Sequence, residues 1–490
     1  MRANLTPDLT ALIKAYDVRG VVPEQFDARI ARAIGAAFGD VVVLPDAGER
    51  PVVVVGNDMR ASGPELVAAF ADGLTARGID VVLIGLCSTD GLYYAAGSLD
   101  VPGAMFTASH NPAQYNGIKM CRAGARPVGQ DTGLAAVREL TATYLADGVP
   151  EVAPDARGAV RERDLLADYA AFLRSLVDLG TIRPLKVVVD AGNGMGGYTA
   201  PAVLGTVAGL PALPLEIVPL YFELDGTFPH HEANPLDPKN LVDLQAAVVA
   251  HGADLGIAFD GDADRCFVID ENGDAVSPSA ITALVGLREV AREQAAGRHP
   301  TVIHNLITSK IVPDLLTRAG ATVVRTRVGH SFIKAQMAEH GAVFGGEHSA
   351  HYYFRDFFFA DTGMLAAMHV MAALGGQAAP LSALADAYQP YSASGEINSH
   401  LDDVAAARAR VVAAYVTRQG AGPVAVDELD GLTISHWEST PRWWFNLRAS
   451  NTEPLLRLNV EAADQDVMEK VRDDVLALVR AGLVQSTPKE

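Results

Sequence analysis

Continuous runs of branched apolar residues, each followed by a helical pattern, constrain this chain more than any other feature. Pro51-Val-Val-Val-Val-Gly-Asn-Asp58 ends in turn residues, and Glu65 to Arg77 then reads as a helix with Gly78 just past its end. Asp80-Val-Val-Leu-Ile-Gly85 is the next strand. Strands without polar alternation must be covered on both faces, so helices flank the sheet and the class is α/β. The rhythm restarts at Leu185-Lys-Val-Val-Val-Asp190 and at Pro300-Thr-Val-Ile-His-Asn305. Three such strand openings predict three similar mixed-sheet α/β domains. After Gly422, short strands at Trp443–Leu447 and Leu455–Val460 and a helix from Gln465 to Ala481 predict a smaller C-terminal α+β domain. The boundaries expected are 1–157, 158–276, 277–385 and 386–490. Arg161 to Asp178 reads as a bridging helix and Gly375 to Ser394 as a link to the last domain. A chain of 490 residues is long enough for such a set, at about 100–200 residues per domain.

Charge narrows the partners. The 59 acidic against 39 basic side chains leave a net −20, which argues against nucleic acid and against anionic membrane surfaces, since both require basic patches. No run of about 18 uninterrupted apolar residues predicts a membrane span. Cys87, Cys121 and Cys266 are sparse and show no metal-ligand spacing. Together these predict a cytoplasmic protein.

Five segments could carry chemistry. Asp260-Gly-Asp-Ala-Asp-Arg265 places three carboxylates at alternate positions between two apolar runs. Such crowding is most simply relieved by a cation, and an all-oxygen set favours Mg²⁺, Ca²⁺ or Mn²⁺ over zinc. An acidic hairpin turn is the plain alternative. An EF-hand loop is disfavoured, because Arg265 stands where that loop needs glycine. Thr107-Ala-Ser-His-Asn-Pro112, with Lys119 beyond it, could hold an activated serine or be an ordinary capping turn. Gly192-Asn-Gly-Met-Gly-Gly197 satisfies the dinucleotide fingerprint after a strand, but Pro201, Gly205, Gly209 and Pro211 predict no clean helix of the right length behind it, which favours a structural turn. Arg448-Ala-Ser-Asn-Thr-Glu-Pro454, with Arg457, suits a phosphate oxyanion or is a polar loop. Gly346-Glu-His-Ser349 follows the basic stretch Arg325, Arg327, His330 and Lys334, and its alternating Glu347 and Ser349 could take sugar hydroxyls. Tyr16-Asp-Val-Arg-Gly20 adds one more arginine.

Taken together and in their order along the chain, these segments resemble the α-D-phosphohexomutase superfamily, in particular its phosphomannomutase/phosphoglucomutase branch. Thr107–Pro112 resembles the phosphoserine loop, Asp260–Arg265 the magnesium loop, Gly346–Ser349 the sugar-binding loop and Arg448–Pro454 the phosphate-binding loop. The resemblance implies four domains in a heart shape around a central cleft. It implies that Ser109 carries the phosphoryl group and shares Mg²⁺ with Asp260, Asp262 and Asp264. Arg19, His110, Lys119, Arg265 and His330 would surround the transferring group. Glu347 and Ser349 would grip the sugar, and Arg448, Ser450, Asn451, Thr452 and Arg457 would hold the phosphate that is not reacting.

The activity so implied interconverts hexose 1-phosphate and hexose 6-phosphate, of mannose or glucose, through a hexose 1,6-bisphosphate. Glucosamine phosphate and a metal-dependent sugar phosphatase are the alternatives. Ala350 and Ile307 depart from the family pattern and bear on substrate preference. Partners are expected to be small hexose phosphates, with the chain a monomer or homodimer. An acidic protein acting on phosphate esters must concentrate its cations. Arg19, Lys119, Arg265, Arg327, Lys334, Arg448 and Arg457 are therefore expected to line one cleft, under a last domain that moves as a lid.

Overall fold

The structure is a computed structural model that describes residues 8–46, 48, 50–401, 403–417, 423–449 and 455–481, with only the backbone of His330 and Ser331. Its strands form four sheets. In the first, the order is Val18–Val21, Tyr115–Arg122, Gly103–Phe106, Val52–Asn57, Asp80–Leu86 and Val160–Glu162, with Arg126–Pro127 paired to Tyr115–Arg122. The second runs Ala275–Val276, Cys266–Asp270, Leu255–Phe259, Leu185–Asp190, Leu215–Leu220. The third runs Thr322–Thr326, Thr301–Asn305, Phe344–Gly346, Tyr352–Phe354, Ala360–Asp361.

All three share one plan. Parallel strands occupy one side, and the last of them turns back into an antiparallel partner: Gly103–Phe106 into Tyr115–Arg122, Leu255–Phe259 into Cys266–Asp270, and Phe344–Gly346 into Tyr352–Phe354. The fourth sheet is antiparallel throughout, in the order Ser392–His400, Leu455–Ala462, Trp443–Ala449, Leu432–Ser435, Ala425–Asp427. These are the three mixed-sheet units and the smaller α+β unit expected.

Local chemistry explains the elements. The Val53–Val55 run is fully buried: Val53 and Val55 share a core cluster with the helices Ala28–Phe38 and Gly63–Ala76, and Val54 shares another with the helix Thr89–Leu99. Gly63–Ala76 starts with Pro64 in its first turn and ends just before Gly78, which takes φ +79. Two sequence expectations are refined. Arg161–Glu162 belong to a three-residue edge strand of the first sheet, so the bridging helix is only Leu166–Leu176, and a short helix, Leu381–Asp386, sits within the expected link.

The last unit docks on the third through its own carboxylates. Glu461 accepts from the Lys310 amide at 2.9 Å and Asp430 from the Val328 amide at 3.1 Å, while Asp427 pairs with Arg325. Among the described residues, no helix is long and apolar enough to cross a membrane.

Candidate active site

The three motifs of the α/β units sit in equivalent places. Each occupies the hairpin connection after the last parallel strand of its sheet, so three separate units present their polar loops in the same way. Ser109, on the first connection, points its Oγ at Asp260 Oδ2, 2.8 Å away on the second. His110 Nδ1 lies 3.3 Å from that Oγ and the Arg265 guanidinium 3.5 Å. Ser109 takes φ +51, a left-handed conformation that costs a non-glycine residue about 1 kcal/mol or more. Its amide donates to Thr107 Oγ1 at 2.9 Å.

Asp260, Asp262 and Asp264 are all buried, and one oxygen of each lies within 4.8 Å of the others. Arg265 Nε donates to Asp260 at 2.9 Å. Lys119 reaches both Asp262 (2.7 Å) and Asp264 (2.5 Å). Thr89 adds its hydroxyl to Asp262 at 2.6 Å and its amide to the Asp262 carbonyl at 3.0 Å. One carboxylate oxygen of Asp262 and one of Asp264 are buried without a hydrogen bond. Three clustered carboxylates with two orphaned oxygens fit a hard divalent cation.

The charges shift one another. Burial pushes the Asp260 carboxyl up, with Arg265 opposing. Burial also works against ionised Asp262, but Lys119 overcomes it and holds that carboxyl well below its ordinary value. Burial disfavours charged Lys119, yet the facing Asp262 and Asp264 keep its ammonium protonated far above the ordinary range. His110 is pushed down to about 2, first by burial and then by Arg265, which donates to its Nδ1 at 2.6 Å. His110 is therefore a neutral acceptor.

The sugar-loop candidates meet the same cluster. Cys266 N–H donates to the Ala350 carbonyl at 3.3 Å, and Arg265 bridges to His351, which ties the second and third connections together. Glu347 is buried and accepts from Tyr353 (2.8 Å), Asn305 (3.1 Å) and the Gly329 amide (3.3 Å). Ser349 Oγ lies 3.0 Å from His351 Nδ1, and His351 Nε2 lies 3.6 Å from Asp264. Ala350 sits at φ +67, so the departure from glycine carries a local conformational cost.

Arg19 donates to Asn111 at 2.9 Å and to Asp17 at 2.6 Å, beside the serine connection. Arg327 covers the Phe332 ring at 4.9 Å. Arg448 and Arg457 are directly opposed across neighbouring strands. Such like-charged pairs need an anion. Glu396 supplies one, at 3.7 and 3.2 Å respectively, yet each arginine keeps a buried, unpaired Nε. They line a cavity of about 720 Å³ with Lys14, Tyr16 and Arg138. Ser450, Asn451 and Thr452 lie outside the described residues, as does the His330 side chain.

One expectation is corrected. Lys334 does not face a cleft: it is 3% exposed, pairs with Asp361 at 2.6 Å and lies 3.9 Å over the Tyr93 ring, so its charge is consumed inside the protein. The glycine-rich turn runs into a helix of only 8 residues, Gly196–Val203, with Pro201 inside it, so no clean helix of the right length follows. That turn packs on the acidic connection instead of opening to a ligand. A Cβ on Gly194 would lie 2.7 Å from the Gly261 carbonyl, and Met195 N–H donates to the same oxygen at 2.9 Å.

Sequence reasoning missed Thr89 and His351. His351 carried a usable signal, because it continues the Glu347, Ser349 alternation by two residues. Thr89 had none, being 173 residues from its partner Asp262.

Known proteins match this chain throughout. Residues 10–145, 167–273 and 277–391 match alpha/beta/alpha domains I, II and III of phosphoglucomutase/phosphomannomutase, and residues 396–478 match its C-terminal domain. A phosphomannomutase of Salmonella montevideo is 40% identical over 474 residues, covering 96% of this chain and 98% of that protein. A phosphohexose mutase of Xanthomonas campestris pv. campestris is 40% identical over 471 residues, covering 95% and 98%. The crystal structure of a phosphoglucomutase/phosphomannomutase family protein from Burkholderia thailandensis superposes with a TM-score of 0.82 at 30% identity, covering 96% and 98%. With all four domains matched in order, and with its serine and acidic connections arranged as described, the chain belongs to the phosphoglucomutase/phosphomannomutase family of phosphate-transferring isomerases.

Proposed function

We propose that this protein interconverts the 1- and 6-phosphates of mannose or glucose, with phosphorylated Ser109 as the phosphoryl carrier and a hexose 1,6-bisphosphate as the intermediate. The observation that carries the reading is the Ser109 Oγ–Asp260 contact of 2.8 Å, which joins the serine of one domain to the acidic connection of the next. Asp260, Asp262 and Asp264 would hold Mg²⁺ with the serine phosphate. Bound there, the ion neutralises charge on the transferring phosphoryl group.

The chain's own residues do the rest. Arg265 places a fixed cation beside the Ser109 oxygen and Lys119 another on Asp262 and Asp264, so both can stabilise the charge that shifts as the P–O bond to Ser109 breaks and the bond to the sugar hydroxyl forms. Lys119, locked as a cation by two carboxylates, serves electrostatics and not proton transfer. The hydroxyl proton then goes to a histidine facing the cluster. His351 meets that description; the sequence alone offers Lys119 or His330 for this role without choosing between them, and His330 is kept as the alternative. Glu347 and Ser349 would orient sugar hydroxyls, with Ser349 backed by His351. Arg448, Arg457 and the 450–452 segment would hold the distal phosphate. The intermediate must present either phosphate to them after turning over, so a pocket of cations suits the task better than a shape-specific one.

The domains we assign to these roles are 1–157, 158–276, 277–385 and 386–490. We place the enzyme in the cytoplasm. The test is conversion of mannose 1-phosphate, glucose 1-phosphate and glucosamine 1-phosphate by serine-phosphorylated protein with Mg²⁺ and a trace of bisphosphate. Turnover of the first two and its loss in Ser109→Ala are expected. Free phosphate appearing faster than isomer would instead establish a phosphatase, and preference for the amino sugar would reassign the substrate.

A further inference from the structure

Arg60 follows the strand Val52–Asn57 and is 2% exposed. Its guanidinium is spent almost wholly on main-chain oxygens of the serine connection. Nη1 donates to the carbonyls of Pro112 and Tyr115, both at 2.9 Å. Nη2 donates to those of Ser109 at 2.9 Å and Asn111 at 2.6 Å. Nε donates to Asp58 at 3.2 Å, and the other Asp58 oxygen accepts from the Arg60 amide at 3.0 Å, which fixes the fork from behind. Phe228, from the second domain, covers it at 5.2 Å. A guanidinium has five N–H donors in one plane, and here each has an acceptor.

This is a costly way to build a turn. Burial lowers the pKa of Arg60, so holding the cation there works against its desolvation penalty, which the Asp58 carboxylate in contact with it opposes. What the arrangement secures is the position of a strained residue. Ser109 at φ +51 directs its carbonyl toward Arg60 on one side and the Gly261 backbone on the other, while its Oγ points at Asp260. A planar fork holding four carbonyls of residues 109–115 leaves the loop little freedom to swing or relax.

We propose that Arg60 is a positioning residue for phosphoryl transfer: by clamping the carbonyl side of the 109–115 loop, it keeps Ser109 Oγ in line with the acidic connection through both half-reactions. The inference rests on Ser109 as the phosphoryl carrier. It predicts an effect on the chemical step and not on sugar binding, because the Arg60 guanidinium contacts the serine connection, Asp58 and Phe228.

The test compares Arg60→Lys, Arg60→Met, Asp58→Asn and Ser109→Ala with wild type, using thermal unfolding and hexose 1-phosphate kinetics. Lysine keeps the charge but cannot reproduce the fork. Folded Arg60→Lys is expected to lose about 100-fold in kcat, as a 1 Å misplacement can, with KM within about two-fold. Arg60→Met should lose at least as much. Asp58→Asn removes the charge of the rear anchor, which also bonds Thr107 of the same connection, and should lower kcat several-fold, again at constant KM. Should the Arg60 variants not fold, Asp58→Asn decides. A folded Arg60→Lys or Asp58→Asn with wild-type kcat, or with a raised KM at unchanged kcat, overturns the proposal while an inactive Ser109→Ala leaves the carrier intact. An active Ser109→Ala overturns both.

Discussion

Gly261 offers a sharp test of how the serine and acidic connections are fitted together. A Cβ at this position would lie 2.4 Å from the Ser109 carbonyl oxygen and 3.2 Å from its carbon. Carbon and oxygen do not approach so closely, and the obstacle is backbone, so no side chain can turn aside. The Ser109 carbonyl must retreat by about 0.6 Å or more to reach even the shortest tolerable contact. It cannot retreat freely, because Arg60 holds the same oxygen from the other side at 2.9 Å. The strain therefore passes to Ser109 Oγ and its 2.8 Å contact with Asp260. Gly261→Ala should cost about 1–3 kcal/mol of stability as an overpacked site. Because a displacement approaching 1 Å at a reacting group costs up to about 100-fold, kcat should fall ten- to one-hundred-fold with little change in KM. Steady-state kinetics on glucose 1-phosphate and thermal unfolding of the same preparation measure both. Wild-type kcat in a folded Gly261→Ala protein would refute the idea that the two backbones are in register to a fraction of an ångström.

Three other outcomes follow from the same geometry. Lys119→Met leaves the buried carboxylates of Asp262 and Asp264 without their cation, a loss of about 3–5 kcal/mol; unfolding temperatures should fall more in EDTA than in Mg²⁺, and equal falls would separate Lys119 from the metal site. His304 is buried and pushed down to about 4, chiefly by that burial, so below its unfolded pKa near 6.5 only the unfolded chain takes up the proton and stability drops as pH falls toward 4. The urea stability of His304→Asn relative to wild type should accordingly improve by about 3 kcal/mol between pH 7 and 4, and a constant difference would show that His304 is charged in the fold. Glu461→Ala removes the acceptor of the Lys310 amide and of the Trp444 indole N–H (2.9 and 2.7 Å); small-angle scattering should show a larger radius of gyration and kinetics a raised KM, whereas identical profiles would mean that the last domain is held by its other contacts.

Legibility in the sequence followed the distance over which each interaction acts. Asp260, Asp262 and Asp264 were readable because five consecutive residues carry the whole electrostatic problem. The valine strands were readable because burial on both faces removes polar alternation locally. Lys334 was misread because composition cannot tell a cation facing a ligand from one buried against Asp361 and Tyr93. The glycine-rich turn was readable as structural only through the helix breakers behind it: its partner is the backbone of Gly261, and glycine spacing alone does not say whether a phosphate or a carbonyl comes close.

By itself, then, the sequence determined the α/β class, the restarting units and the ordered polar connections, since these depend on periodicity and on near neighbours in the chain. Only the tertiary structure decided which cations serve the site and which serve the core, that Thr89 and His351 join it, and that Arg60 grips the serine connection. Those facts depend on contacts such as Thr89 to Asp262, 173 residues apart, and Arg265 to Ser109, 156 apart. Such contacts exist only because three sheets with the same plan turn their equivalent hairpin connections toward one another.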